Sequence, residues 1–162
     1  MNKAIILDRD GTINFDRDYV HKIKDFEFIP KTFENLKRLQ EKYLLFIYTN
    51  QSGIGRGYYS EKDFLILNNH MLEDLKRRDI KISEVLYCPH TPKDNCDCRK
   101  PKTGLLERVI EKYSINRNLS YIIGDRDSDV KFGENAGIKT ILIKKDGGLS
   151  AAVGIILGNE KK

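Results

Sequence analysis

Ala4-Ile5-Ile6-Leu7-Asp8-Arg9-Asp10-Gly11-Thr12 is the stretch that decides the fold. Four apolar residues in a row read as a short strand buried on both faces. The run stops at Asp-Arg-Asp-Gly, which cannot continue such a strand, so a loop follows. The same pattern recurs along the chain. Leu44-Leu45-Phe46-Ile47-Tyr48 stops at Thr49-Asn50, and Val85-Leu86-Tyr87 is a third short run. Tyr121-Ile122-Ile123 ends at Gly124-Asp125, and Thr140 to Ile143 makes a fifth. Helical spacing fills the intervals. Phe33, Leu36, Leu39 and Tyr43 predict a helix ending near Tyr43. Ser60 is placed to cap a helix reaching about Arg78, with Phe64, Leu67, Met71, Leu72 and Leu75 on one face. Further helices are predicted from about Thr103 to Tyr113 and from about Asp127 to Asn135, the second closed by Gly137. Ala151 to Leu157 is apolar enough for a last strand or helix.

Continuously apolar strands alternating with helices predict an α/β fold: a central parallel sheet between two helical layers. Ligands of such sheets bind beyond the carboxyl ends of the strands. Three polar clusters fall at such ends: Asp8/Asp10, Thr49/Asn50 and Asp125. A length of 162 residues predicts one domain spanning 1–162. No segment approaches the ~20 apolar residues that span a bilayer. Ala4 to Leu7 is too short for a signal peptide, so a cytoplasmic protein with no membrane partner is expected. The net charge of +5 is scattered among acids, with no basic stripe interleaved with aromatics. Nucleic acid is therefore not an expected partner, and a monomer is expected.

Asp8, Asp10 and Asp125 would repel one another at one sheet edge unless a cation joined them. Hard oxygen ligands suit Mg²⁺, which takes a few carboxylates plus substrate phosphate. A carboxylate there can also serve as the nucleophile of phosphoryl transfer. All three cysteines sit in Cys88-Pro89-His90-Thr91-Pro92-Lys93-Asp94-Asn95-Cys96-Asp97-Cys98. A cytoplasmic chain disfavours disulfides, so Cys88, His90, Cys96 and Cys98 read as a Cys₃His zinc set. A closed four-ligand site is structural, and here it folds a loop with little core of its own. Cys98 lies two residues before Lys100, so zinc is expected to fix the backbone carrying that lysine. Asp129 reads equally as a helix cap and as support for the metal ligands.

These segments together resemble the haloacid dehalogenase (HAD) superfamily. Asp8-Arg9-Asp10-Gly11-Thr12 looks like its first motif, Thr49-Asn50 its second, Lys100 its third and Gly124-Asp125-Arg126-Asp127-Ser128-Asp129 its fourth. The resemblance spans roughly residues 4 to 143. It implies a Rossmann-like phosphatase in which Asp8 attacks phosphorus and Asp10 protonates the leaving alcohol, then activates water. It implies Mg²⁺ on the Asp8 carboxylate, the Asp10 carbonyl and Asp125, phosphate oxygens on Thr49, and charge balance from Lys100. Lys102 competes for that last role on sequence grounds, and the family spacing favours Lys100.

Cys-Pro-His followed by Cys-x-Cys-Arg-Lys-Pro is similar to two branches of that superfamily, the heptose 1,7-bisphosphate phosphatases and the histidinol-phosphate phosphatases. Asp16 to His21, Phe26 to Ile29 and Thr49 to Gly57 resemble the heptose branch. The five residues between His90 and Cys96 resemble the histidinol branch. The heptose likeness implies removal of the C7 phosphate from a small sugar bisphosphate; histidinol phosphate is the alternative, and a polynucleotide 3′-phosphatase a more distant one. The resemblance also implies substrate contacts from Asp16, Arg17, Asp18 and Tyr19, from Thr49, Asn50, Gln51 and Ser52, and from Arg99, Lys100 and Arg126. No long insertion follows the first or second motif, so no separate cap domain is expected. His21 reads as a loop anchor or a substrate contact, Arg56 as a remote phosphate site or a surface residue, and His70 as an ordinary helix residue.

Overall fold

All strands of the sheet run the same way. β1 (Ala4–Leu7), β2 (Leu44–Asn50), β3 (Ile82–Cys88), β4 (Tyr121–Gly124) and β5 (Lys139–Leu142) pair in the order β3-β2-β1-β4-β5. The computed structural model describes residues 1–159; the last three residues of the expected 1–162 domain lie outside them. The helices are α1 (Thr32–Gln40), α2 (Ser52–Gly55), α3 (Glu61–Lys76), α4 (Gly104–Lys112), α5 (Asp127–Ala136) and α6 (Ser150–Asn159).

Strand side chains alternate between faces, and both faces are filled. Ile5, Leu7, Leu45 and Ile47 pack with Leu36 and Leu39 of α1, Met71 and Leu75 of α3, and Val153 and Ile156 of α6. Ala4, Ile6, Phe46, Tyr48 and Ile122 pack with Leu106 and Val109 of α4 and Phe132 and Ala136 of α5. Each large apolar side chain buried this way contributes about 1.5–3 kcal/mol. The result is a three-layer, Rossmann-like fold with no separate cap domain among the described residues. No helix among the described residues is long and apolar enough to cross a membrane.

Local signals explain most boundaries. Ser60 caps α3 in a two-way exchange with Asp63: its hydroxyl accepts from the Asp63 N–H at 3.1 Å, and its own N–H donates to the Asp63 carboxylate at 2.9 Å. Gly137 ends α5 in the left-handed conformation at φ 64°. Two expectations shift, and one alternative is settled. α1 stops at Gln40 rather than near Tyr43, because the chain turns there: the Lys42 and Tyr43 N–H groups both bond to the Leu39 carbonyl, and Tyr43 folds into the core. β3 starts at Ile82, earlier than Val85, because Ser83 and Glu84 lie on a sheet edge where polar residues are tolerated. Ala151 to Leu157 lies within a helix, α6.

The chain passes from β1 outward to β2 and β3, then crosses back to β4 on the other side of β1. The connections therefore diverge around the carboxyl end of β1, and a crevice opens there. Asp8 is the first residue beyond β1, and its N–H bonds to the Ile123 carbonyl of β4 at 2.9 Å.

Candidate active site

Lys100 is the centre of the crevice. Its ammonium donates to Asp8 Oδ1 at 2.7 Å and to Asp129 Oδ1 at 2.7 Å, and all three side chains are nearly sealed from solvent. Burial penalises the charged ammonium, but the two carboxylates outweigh it and raise the Lys100 pKa. Burial pushes Asp8 the other way from an ordinary carboxylate, up to about 7; Lys100 opposes that rise and the Asp129 charge adds to it. Asp125 is also raised, by burial and by Asp129, against the pull of Arg126.

Asp129 caps α5 and also holds Lys100. One oxygen grips Lys100, and the other accepts the Arg126 N–H at 3.1 Å at the start of α5. Lys102 faces elsewhere: its ammonium bonds to Asn95 and to the Cys96 carbonyl. The main chain of Lys100 is held by β2. Asn50 Oδ1 accepts the Lys100 N–H at 3.0 Å and Asn50 Nδ2 donates to its carbonyl at 3.2 Å. The Tyr48 hydroxyl donates to the Cys98 carbonyl at 2.6 Å.

Asp8, Asp125 and Asp129 offer carboxylate oxygens within 4.8 Å of one another. Both Asp129 oxygens are engaged, one by Lys100 and the other by the Arg126 N–H, whereas Asp8 meets Lys100 through Oδ1 alone, so Asp8 and Asp125 are the carboxylates that could hold a metal. A hard, all-oxygen donor set of this kind fits Mg²⁺. The Asp10 side chain is not part of the group, so any contribution from Asp10 comes from its backbone. Gly11 makes the approach possible. It sits at φ 86°, and a Cβ there would lie 2.5 Å from Asp125 Oδ2.

The Asp10 carboxylate is held by four donations. Arg9 supplies Nε at 3.2 Å and Nη2 at 2.9 Å, Asn14 supplies Nδ2 at 2.9 Å, and Gln51 supplies Nε2 at 3.3 Å. Gln51 also donates to Thr49 Oγ1 at 2.8 Å and accepts from the Tyr59 hydroxyl at 2.6 Å.

Two cavities meet at Asp10. One, of about 130 Å³, is lined by Asp8, Asp10, Thr49, Asn50, Arg99, Lys100, Arg126 and Ser128. The other, of about 160 Å³, holds Asp16, Asp18, Tyr19, Gln51 and Tyr59 and shares Asp10, Asn50 and Arg126 with the first. The first is cationic and the second is rich in hydroxyl and carboxylate groups. Asp16 is nearly buried, because Arg126 at 2.9 Å and Lys145 at 3.2 Å close on the same carboxylate oxygen. Arg17 and Ser52 line neither cavity. Arg17 is spent on Glu27 and the Asp25 carbonyl, and Ser52 accepts a long bond from the exposed Arg56. His21 is a loop anchor: it stacks on Tyr59 at 4.5 Å and bonds to the Tyr19 carbonyl. His70 lies on the α3 surface beside Asp74.

Cys88, His90, Cys96 and Cys98 converge beside this site. His90 Nδ1 lies 3.5 Å from Cys88 Sγ and 3.2 Å from Cys98 Sγ; Cys88 Sγ lies 3.6 Å from Cys96 Sγ and 3.0 Å from Cys98 Sγ. These gaps exclude disulfides, whose sulfurs sit ~2.05 Å apart. One nitrogen and three sulfurs gathered this way fit tetrahedral zinc. The loop between His90 and Cys96 is closed by its own chemistry, with Asp94 accepting from the Thr91 N–H and hydroxyl.

Arg9, Asn14 and Tyr59 escaped the sequence reading. Arg9 occupies the variable place of the first motif, and nothing local marks Asn14 or Tyr59 as neighbours of Asp10.

A family model described as "HAD-hyrolase-like" matches residues 97–153. The chain is 47% identical over 150 residues to the D-glycero-alpha-D-manno-heptose-1,7-bisphosphate 7-phosphatase of Campylobacter jejuni, covering 90% of this chain and 86% of that one. The chain belongs to the heptose-1,7-bisphosphate 7-phosphatase family of HAD-like hydrolases. It is thus a phosphoric monoester hydrolase. A second member, the D-glycero-beta-D-manno-heptose-1,7-bisphosphate 7-phosphatase of Pasteurella multocida, is 44% identical over 154 residues, covering 91% and 84%. Among solved structures, the D,D-heptose 1,7-bisphosphate phosphatase of B. bronchiseptica, complexed with magnesium and phosphate, superposes with a TM-score of 0.81 at 30% identity over 86% of this chain and 79% of that one.

Proposed function

We propose that this phosphatase removes the C7 phosphate of a D-glycero-D-manno-heptose 1,7-bisphosphate, with Asp8 as nucleophile. The observation that carries the reading is the pair of cavities meeting at Asp10. The cationic one suits the phosphoryl group in transfer, and the hydroxyl-rich one suits a polyol chain. The junction is where the oxygen linking the two would lie. Family membership supports the same substrate.

In the first half-reaction a bond forms between an Asp8 carboxylate oxygen and phosphorus as the ester P–O bond breaks. Asp10 gives its proton to the departing alcohol. In the second half, water attacks phosphorus, the Asp8–phosphorus bond breaks, and the proton from water returns to Asp10. Sugar phosphate and water become sugar and inorganic phosphate. Lys100 keeps Asp8 aligned and offsets charge beside it, and Thr49 with the loop N–H groups holds phosphoryl oxygens. Arg99 and Arg126 offer planar forks for the phosphates. Asp8, Asp125 and the Asp10 carbonyl would hold Mg²⁺, which supplies further charge neutralisation at the phosphoryl oxygens. Cys88, His90, Cys96 and Cys98 would hold zinc, which cross-links the loop leading to Arg99.

Histidinol phosphate is a second reading, favoured by the five-residue loop between His90 and Cys96. Measuring kcat/KM for both heptose bisphosphate anomers and for histidinol phosphate separates the two. The expected result is a clear preference for one heptose anomer; a preference for histidinol phosphate sinks the first reading. Asp8→Asn is expected to abolish turnover of every substrate while leaving the far-UV circular dichroism unchanged.

A further inference from the structure

Arg9 stands between the two aspartates of the first motif and is 1% exposed. A buried guanidinium needs its charge matched. The match is Asp10, taken in a fork through Nε and Nη2. Nη2 also donates to the Val20 carbonyl at 2.8 Å, in the loop that brings Asp18 and Tyr19 to the second cavity. The Phe64 ring of α3 lies 5.9 Å from the guanidinium carbon. Nη1 is buried with no hydrogen-bond partner among the described residues. The loop after β1, the residue 14–28 loop and α3 thus close around one cation whose one carboxylate partner among the described residues is Asp10.

We propose that Arg9 is a positioning residue for proton transfer: its fork fixes the plane of the Asp10 carboxylate and aims it at the oxygen of the leaving alcohol. The inference rests on the acid–base role given to Asp10 above. An Asp side chain turns broadly about its terminal torsion. Proton transfer demands hydrogen-bond reach and alignment at the moment the P–O bond breaks. A planar fork with two parallel donors sets a plane, whereas an ammonium acts as a point charge. Asn14 and Gln51 bond to one oxygen each, so neither sets the plane alone.

The leaving group supplies the test. An alkoxide departing from a sugar phosphate needs a proton; a nitrophenolate does not. kcat/KM covers the steps through transfer to Asp8, so it isolates the half-reaction in which the proton is given. Arg9→Lys and Arg9→Met are to be compared with the unaltered enzyme on heptose bisphosphate and on para-nitrophenyl phosphate, with Asp10→Asn as reference. The expected loss on the sugar phosphate is on the order of 10–100-fold, against less than about threefold on the nitrophenyl ester. The ratio of the two rates counts only folded, active molecules, so partial misfolding cancels. Should Arg9→Met not fold, Arg9→Lys, which keeps the buried charge and loses the fork, still decides. Equal losses on both substrates in the Arg9 variants, with leaving-group dependence in Asp10→Asn, overturn the role of Arg9 alone. Absence of that dependence in Asp10→Asn overturns the acid–base role and this inference with it.

Discussion

Asn50 holds the main chain of Lys100 from both sides, accepting its N–H at 3.0 Å and donating to its carbonyl at 3.2 Å. A side chain expected to contact substrate is thus largely committed to the lysine that touches Asp8. Asn50→Ala removes both bonds and frees the segment to shift. A displacement of an ångström at a reacting centre can cost on the order of 10²-fold in rate. The expected outcome is a kcat lowered by roughly 10–100-fold with a much smaller change in KM. Steady-state kinetics check it, and a rise in KM alone would return Asn50 to simple substrate binding.

The cysteine cluster predicts about one tightly held zinc per chain, as a closed structural site requires. Elemental analysis of protein purified without added metal tests this. Cys96→Ala is expected to lose the zinc and lower the melting temperature. The Lys100 main chain should suffer less than the loop before it, because Tyr48 and Asn50 tether Cys98 and Lys100 to β2 without the metal. Zinc content near zero in the unaltered protein would refute the site.

The strands were legible because a wholly apolar run that stops at a charged or polar residue has few alternatives in water, as at Leu7-Asp8 and Ile123-Gly124-Asp125. Asp8, Asp125 and Lys100 were legible as neighbours in the crevice because each lies at such a stop or in a recognisable motif. What lay hidden depends on contacts between distant segments. Tyr59 reaches Asp10 through Gln51, and Asp16 is covered by Arg126 and Lys145 from far along the chain. The end of α1 was misplaced for a related reason: Tyr43 keeps helical spacing with Leu39 yet reaches the core from a turn.

Gly11 is required twice over. Its φ of 86° disfavours a side chain, and a Cβ would press on Asp125 at 2.5 Å. Left-handed backbone alone costs an alanine about 1–2 kcal/mol, which corresponds to roughly 2–8 °C in melting temperature for a chain of this size. Gly11→Ala is therefore expected to melt earlier and to bind Mg²⁺ more weakly, because Asp125 must move. Calorimetric melting and Mg²⁺ titration check the two halves; unchanged Mg²⁺ affinity would remove Asp125 from the metal site.

Asp8, proposed above as a Mg²⁺ ligand, predicts that metal affinity depends on pH. Its pKa in the metal-free fold is raised to about 7, first by burial, then by Asp129, against Lys100. A ligand carboxylate must be ionised to bind metal, so proton and Mg²⁺ compete for it. Above about 7 the carboxylate is already charged and affinity is level; below it, affinity falls by up to tenfold per pH unit. The same shift has a second consequence of fixed sign. Between the ordinary value of 3.8 and about 7 the metal-free fold binds more protons at Asp8 than the unfolded chain does, so its stability falls as pH rises through that window. Saturating Mg²⁺ should reverse that trend by binding only the folded, ionised form. Isothermal titration from about pH 5.5 to about 8, and melting curves with and without Mg²⁺ over the same range, cross the upper end of that window and test both; an affinity independent of pH would exclude Asp8 as a ligand.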